Sequence, residues 1–210
     1  GLGRFGAEVH AMLKALGEAG PEAGRPRGAD GAGEEALGRM ARDILVTAGR
    51  SPTEAPALAG HVAGIVRSAF WRRAAAAERR LFEVPFAVRV EPGQAGYEDL
   101  APRAGAVPFA GGRPVVPAPG APVYLTGAID LVFFEGDGWV IADYKTDRLP
   151  AALAGAPEAE RDKALGRLVE HYAPQVRLYT RFWEKVTGEK VKESGLYFTA
   201  LERWVPVGRS

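Results

Sequence analysis

The chain has 210 residues, 47% of them hydrophobic, which is enough to bury the core of one domain. Its 27 basic and 26 acidic residues leave a formal charge of +1, so any nucleic-acid binding has to come from local clusters rather than a globally basic surface. The absence of cysteine excludes a disulfide scaffold, a thiolate zinc site and an iron-sulfur cluster, and leaves oxygen and imidazole as the only metal ligands.

Nothing reads as a signal peptide, and no apolar run approaches the roughly 18 residues of a membrane span. A cytoplasmic location without membrane contact is the expectation. No phosphate-cradling G-x-x-x-x-G-K-[ST] loop is present.

Phe5, Val9, Met12, Leu13 and Leu16 recur at helical spacing, with His10 on the flank of the stripe. Residues 17–33 are rich in Gly and Pro and read as a flexible connection. A second amphipathic helix is predicted over 34–48. Ser51-Pro52-Thr53-Glu54 has capping-box form with Pro at the first helical position, predicting one long helix from Pro52 toward Arg80. Near its end, Arg72, Arg73, Arg79 and Arg80 lie close to Trp71, either as a solvated helix face or as a surface that tracks DNA.

Residues 81–90 are strand-like, and 91–122 form a long loop or loose hairpin end dominated by Gly, Pro and Ala. Two β-rich runs follow, 124–134 and 139–146, joined through Glu135-Gly136-Asp137-Gly138 as a hairpin. From Leu165 an apolar period runs up to Gly188, a C-cap candidate, with Pro174 either kinking the helix or starting a new one. Short strands are predicted over 195–201 and 203–207. This order predicts a single α/β domain over 1–210, a central mixed β-sheet flanked by helices.

A turn centred on Gly136 and Asp137 sets Phe134 against Trp139, Val132 against Ile141, and Asp130 against Asp143. Opposed like charges destabilise a sheet. Two carboxylates about 5 Å apart at an effective dielectric near 20 repel by about 3 kcal/mol before screening. A divalent cation or a shared proton removes that cost. Strand period two puts Lys145 on the face of Asp143, while the Tyr144 carbonyl is free to turn toward a metal at the strand end. Two carboxylates, a carbonyl and an ammonium suit phosphodiester hydrolysis: the metal polarises the phosphate, and Lys145 steadies the nucleophile or the developing charge.

Gly127-Ala128-Ile129-Asp130 followed by Ile141-Ala142-Asp143-Tyr144-Lys145-Thr146 resembles the RecB-type nuclease signature of the PD-(D/E)XK superfamily. Gly6-Ala7-Glu8-Val9-His10 resembles the helix that supplies a histidine ligand there, Glu83-Val84-Pro85-Phe86 its following strand, and Tyr172, Gln175 and Tyr179 its Tyr-x-x-Gln-x-x-x-Tyr helix. With Leu196-Tyr197-Phe198, the pattern is most similar to the C-terminal nuclease domain of AddA-type helicase-nucleases.

The resemblance implies that His10, Asp130, Asp143 and the Tyr144 carbonyl bind Mg2+ or Mn2+ and that Lys145 acts on the attacking water. It implies a deoxyribonuclease acting on single-stranded DNA in double-strand break repair, with a helicase in the same parent chain and an AddB-type partner. Gln175 asks for a polar partner, in the site or on DNA, and Tyr179 shares its helical face. Glu83 either orients the metal site or pairs with an arginine. His61 and His171 match nothing in the pattern. The rivals are a catalytically silent DNA-binding module and a stand-alone nuclease acting on RNA or duplex ends.

Overall fold

The computed structural model describes residues 5–20, 32–94, 97, 120–153 and 155–208. Among the described residues, five helices and five strands form the frame: α1 (Gly6–Glu18), α2 (Ala32–Thr47), α3 (Ala55–Arg67), α4 (Ala69–Ala76), β1 (Arg79–Val90), β2 (Val123–Glu135), β3 (Gly138–Lys145), α5 (Glu158–Thr187), β4 (Val191–Phe198) and β5 (Arg203–Pro206). The inner parts of the two expected loops, 21–31 and 98–119, lie outside the described residues.

The strands make one sheet in the order β1-β2-β3-β4-β5. β3 and β4 run parallel, because α5 carries the chain back across the sheet between them, and the other neighbours are antiparallel. β3 is buried along nearly its whole length, as a strand covered on both faces must be. On one face, Leu131, Phe133, Val140, Ala142 and Tyr144 pack against α1 to α4. On the other, Ile129, Val132, Trp139 and Ile141 meet Tyr179 and Trp183 of α5, while Leu196 and Phe198 meet Leu165, Ala173 and Val176. The α/β class with a mixed sheet is as expected.

The long helix expected from Pro52 is three pieces. Ser51 caps a 3-10 turn at Pro52–Glu54, α3 follows, and at Ser68 the backbone goes extended (ψ 155°) while Ser68 Oγ accepts the Trp71 N–H at 3.1 Å to start α4. Ser68→Ala removes this N-cap and should cost about 1 kcal/mol in thermal or urea melts. An unchanged midpoint would mean that the break is set by packing alone. β4 begins at Val191, four residues earlier than its apolar pattern indicates, because Lys192 and Glu193 form ion pairs with Glu135 and Arg73. α5 runs through Pro174 and ends at Gly188, whose φ of 70° is the left-handed cap conformation.

The four arginines are taken up by the fold. Arg73 bonds Glu135 and Glu193. Arg79 lies over Phe134 and Trp139 and pairs with Glu189. Arg80 donates to the Ala75 carbonyl at 2.7 Å, and Arg72 to that of Arg67 at 3.0 Å. They gather at the hairpin-turn end of the sheet, away from Asp130, and the reading as a DNA-tracking cluster gives way to the structural one. No helix among the described residues is long and apolar enough to cross a membrane.

Candidate metal and active centre

The hairpin register is the expected one from Glu135↔Gly138 to Leu131↔Ala142, and there the β2–β3 ladder stops. Beyond it β2 continues with β1 alone, through Val90↔Val123, while β3 continues with β4 through Lys145↔Phe198. The sheet therefore splits, and Asp130 and Asp143 flank the opening instead of forming a ladder pair. In place of that pairing, Asp130 Oδ2 accepts the Tyr144 N–H at 2.5 Å, which fixes the carboxylate at the mouth of the split.

Side-chain alternation also breaks here. Leu131 belongs to the core under α1 to α4 but Ile129 to the core under α5, although two residues apart on a strand should share a face. β1 does the same between Phe82 and Val84. In β1 the device is Glu83, whose φ of 51° lies in the left-handed region, a conformation costing about 1–2 kcal/mol for a residue with a Cβ. Such strain persists where the surroundings over-determine it, and here it sets Glu83 beside Asp130.

α1 delivers His10 to the same point. Its Nδ1 lies 3.3 Å from Asp130 Oδ1 and 3.6 Å from Glu83 Oε1, and its ring meets Tyr144 edge-on at 5.6 Å. α1 itself is anchored by the buried Glu8, which receives Arg50 at 3.1 Å. One potential ligand atom from each of His10, Glu83 and Asp130 lies within 4.8 Å of the others. The sequence leaves Glu83 between a supporting role and an arginine pair; its place in this triplet depends on a backbone torsion that composition does not reveal.

Asp143 is 3% exposed and stands outside the triplet, with Oδ2 2.6 Å from Lys145 Nζ. Lys145 donates to Gln175 Oε1 at 3.2 Å, Gln175 Nε2 donates to Tyr179 Oη at 2.5 Å, and Tyr179 Oη donates to the Ala128 carbonyl at 3.4 Å. The polar partner expected for Gln175 is thus Lys145. Asp147, which sequence reasoning passed over, accepts from Tyr172 Oη at 3.1 Å. The acid two residues after Lys145 was its only signal. His61 lies on α3, where burial and then Arg148 push its pKa down. His171 packs edge-on to Tyr172.

Burial and then the Asp130 charge raise Asp143 to about 6, against an opposing pull from Lys145. Burial lowers the pKa of His10, but the hydrogen bond and charge of Asp130, with Glu83 and Asp143, outweigh it and leave the value raised. Glu83 is raised by burial and by Asp130. A carboxylate-rich pocket that holds protons above their ordinary range lacks positive charge, and a divalent cation fits that deficit with imidazole and carboxylate donors.

These shifts have a sign in stability. The folded chain keeps the Asp143 proton that the unfolded chain releases between 3.8 and about 6, so stability falls as pH rises across that window. His10, raised above 6.5, extends the fall until its folded value is passed. Glu135, held at about 2 by Arg73, has delivered its stabilisation once the pH exceeds 4.5 and does not mask the effect. In EDTA, melts from pH 5 to 8 should show a declining midpoint that Asp143→Asn flattens. An identical slope in both proteins would mean that Asp143 titrates normally.

A family model for the PD-(D/E)XK nuclease superfamily matches residues 2–205. The chain is 32% identical over 148 residues, 70% of its length, to an ATP-dependent helicase/nuclease protein of Pelotomaculum thermopropionicum, of which the match covers 10%. It is 39% identical over 98 residues, 47% of its length, to the protein of the same name in Heliobacterium modesticaldum, covering 7% of it. For Carboxydothermus hydrogenoformans the figures are 40% over 85 residues, 40% of this chain and 6% of that protein. The chain thus spans a tenth or less of the length of these relatives. Matched over nearly all of its length, and carrying acid, acid and lysine at the split of its sheet, the chain belongs to the PD-(D/E)XK nuclease superfamily.

Proposed function

We propose that this chain is a divalent-metal-dependent deoxyribonuclease domain that hydrolyses phosphodiester bonds of single-stranded DNA, as an exonuclease within a helicase-nuclease. The observation that carries the reading is the triplet of His10, Glu83 and Asp130 set across the split sheet from the buried Asp143 and its ion-pair partner Lys145. The cation, Mg2+ or Mn2+, would be held by His10, Asp130, Asp143 and the Tyr144 carbonyl, with Glu83 as a further ligand. When bound, it polarises the phosphodiester and lowers the pKa of water beside it.

The chain's own groups do the rest. Lys145 places an ammonium, 15% exposed at its side chain, where charge develops on the phosphate or the nucleophile. Asp143 and Gln175 hold that ammonium from two sides, and Tyr179 braces Gln175 against the β2 backbone. The Tyr144 N–H orients Asp130. A catalytically silent scaffold has no need to keep a lysine 2.6 Å from a buried carboxylate.

That these relatives are ATP-dependent helicase/nuclease proteins supports a parent chain with an ATP-dependent helicase. With the resemblance to AddA-type helicase-nucleases, the reading extends to double-strand break repair and recombination in the cytoplasm, beside an AddB-type partner. The purified domain should degrade end-labelled single-stranded DNA with Mn2+ or Mg2+ and stop in excess EDTA. Undiminished cutting in EDTA would overturn the proposal.

A further inference from the structure

Lys145 has a third neighbour besides Asp143 and Gln175. Its Nζ lies 4.3 Å from the centroid of the Tyr172 ring, and Tyr172 Oη donates to Asp147, 3.1 Å from Oδ2 and 3.3 Å from Oδ1. We propose that Asp147 and Tyr172 are positioning residues, a clamp that closes over the Lys145 ammonium and holds it against Asp143. The inference rests on the proposed role of Lys145.

The geometry gives each member a task. A lysine side chain is a point charge on a flexible four-carbon stem, so one ion pair does not fix its direction. Asp143 and Gln175 approach Nζ with oxygens, at 2.6 and 3.2 Å, and the π-face of Tyr172 closes a further side. Tyr172 and Gln175 are three apart on α5, so one helical face presents both groups. The ring could swing away about its own torsions. Asp147, two residues beyond Lys145 where the chain leaves β3, ties down its far end, so one stretch of backbone carries both the lysine and the anchor of its cover. A hydrogen bond donated to a carboxylate also draws electron density into the phenol ring, which strengthens its attraction for a cation. The alternative is a surface Tyr–Asp bond that only docks the chain after β3 onto α5.

The experiment compares Tyr172→Leu, Tyr172→Phe, Asp147→Asn and the Tyr172→Phe/Asp147→Asn double variant with the parent, and uses Lys145→Ala as reference. The readouts are kcat and KM on a single-stranded oligonucleotide in saturating Mn2+, the Mn2+ affinity, the melting temperature, and the rate at which an N-hydroxysuccinimide ester acylates Lys145, followed by mass spectrometry. Tyr172→Leu should lower kcat on the order of 10- to 100-fold through misplacement of the ammonium. KM and Mn2+ affinity should stay within about twofold, since neither residue contacts the ion. Lys145 should become faster to acylate.

Tyr172→Phe keeps the ring but loses the anchor, so it should recover part of kcat. Asp147→Asn should resemble it, and the double variant should be no worse than either single, because all three lose the same bond. Parental kcat and parental acylation in Tyr172→Leu and Asp147→Asn, with Lys145→Ala inactive, would overturn the clamp and leave the nuclease reading standing. So would an effect of Asp147→Asn that persists in full in the Tyr172→Phe background, or losses that track the melting temperature alone. A fully active Lys145→Ala would remove the reading on which the clamp depends.

Discussion

Lys145→Ala should lower kcat on single-stranded DNA by about 10^2 to 10^3, the range lost when one preorganised charge-stabilising donor is taken from a transition state. The Nζ group lies 2.6 Å from Asp143 Oδ2 and is 15% exposed at its side chain, so water does not readily replace it. The substitution has a second, separable effect. Lys145 holds down a carboxyl already raised to about 6, and without it Asp143 rises further. Near pH 6.5 the variant should therefore bind Mn2+ more weakly than the parent, because protons compete for a ligand. By pH 8.5 metal binding should return while turnover does not. Calorimetric Mn2+ titration and single-turnover cleavage at the two pH values separate the effects. Turnover at pH 8.5 within a few-fold of the parent would mean that the lysine serves the metal site alone.

The hairpin register was legible because it follows from two local facts, the period of two and a short Gly-containing turn. Where those cease to act, the sequence misleads. It set Asp130 against Asp143 as a ladder pair, but β2 and β3 part after Leu131 and Ala142, so the carboxylates end on two sides of an opening. The change of facing at Glu83 and Asp130 was not legible either. It rests on a positive φ at a glutamate, which no propensity favours and which is held by contacts with α1, far away in sequence.

Helical periodicity set Gln175 and Tyr179 on one face of α5 but did not identify the partner. Lys145 is thirty residues upstream, and only the β3-α5 crossover brings the two together. The break at Ser68 was hidden because no Gly or Pro lies between Ile65 and Arg73 to interrupt the helical pattern, though a serine three residues before Trp71 is an N-cap signal in hindsight. The arginines beside Trp71 suggested DNA because their acidic partners, Glu135, Glu189 and Glu193, lie on distant elements.

Asp130→Asn should change the order of stability when metal is added. Asp130 is 8% exposed, with Oδ1 3.3 Å from His10 Nδ1 and Oδ2 accepting the Tyr144 N–H. Asparagine retains an oxygen for that N–H and turns its amide toward His10 and Glu83, so no buried donor is orphaned. It also removes the charge that, after burial, does most to raise Asp143. In EDTA at pH 8, where the carboxylates are ionised, the variant should be as stable as the parent or more so. With Mn2+ at about 100 times its dissociation constant, binding adds roughly 2.7 kcal/mol to the parent. The variant, short of a charged ligand, should forgo most of that gain, and the order should reverse. Thermal melts of both proteins in EDTA and in Mn2+ test this. If Asp130→Asn destabilises equally in the two conditions, Asp130 supports the split of the sheet without holding an ion, and the paired-carboxylate argument fails.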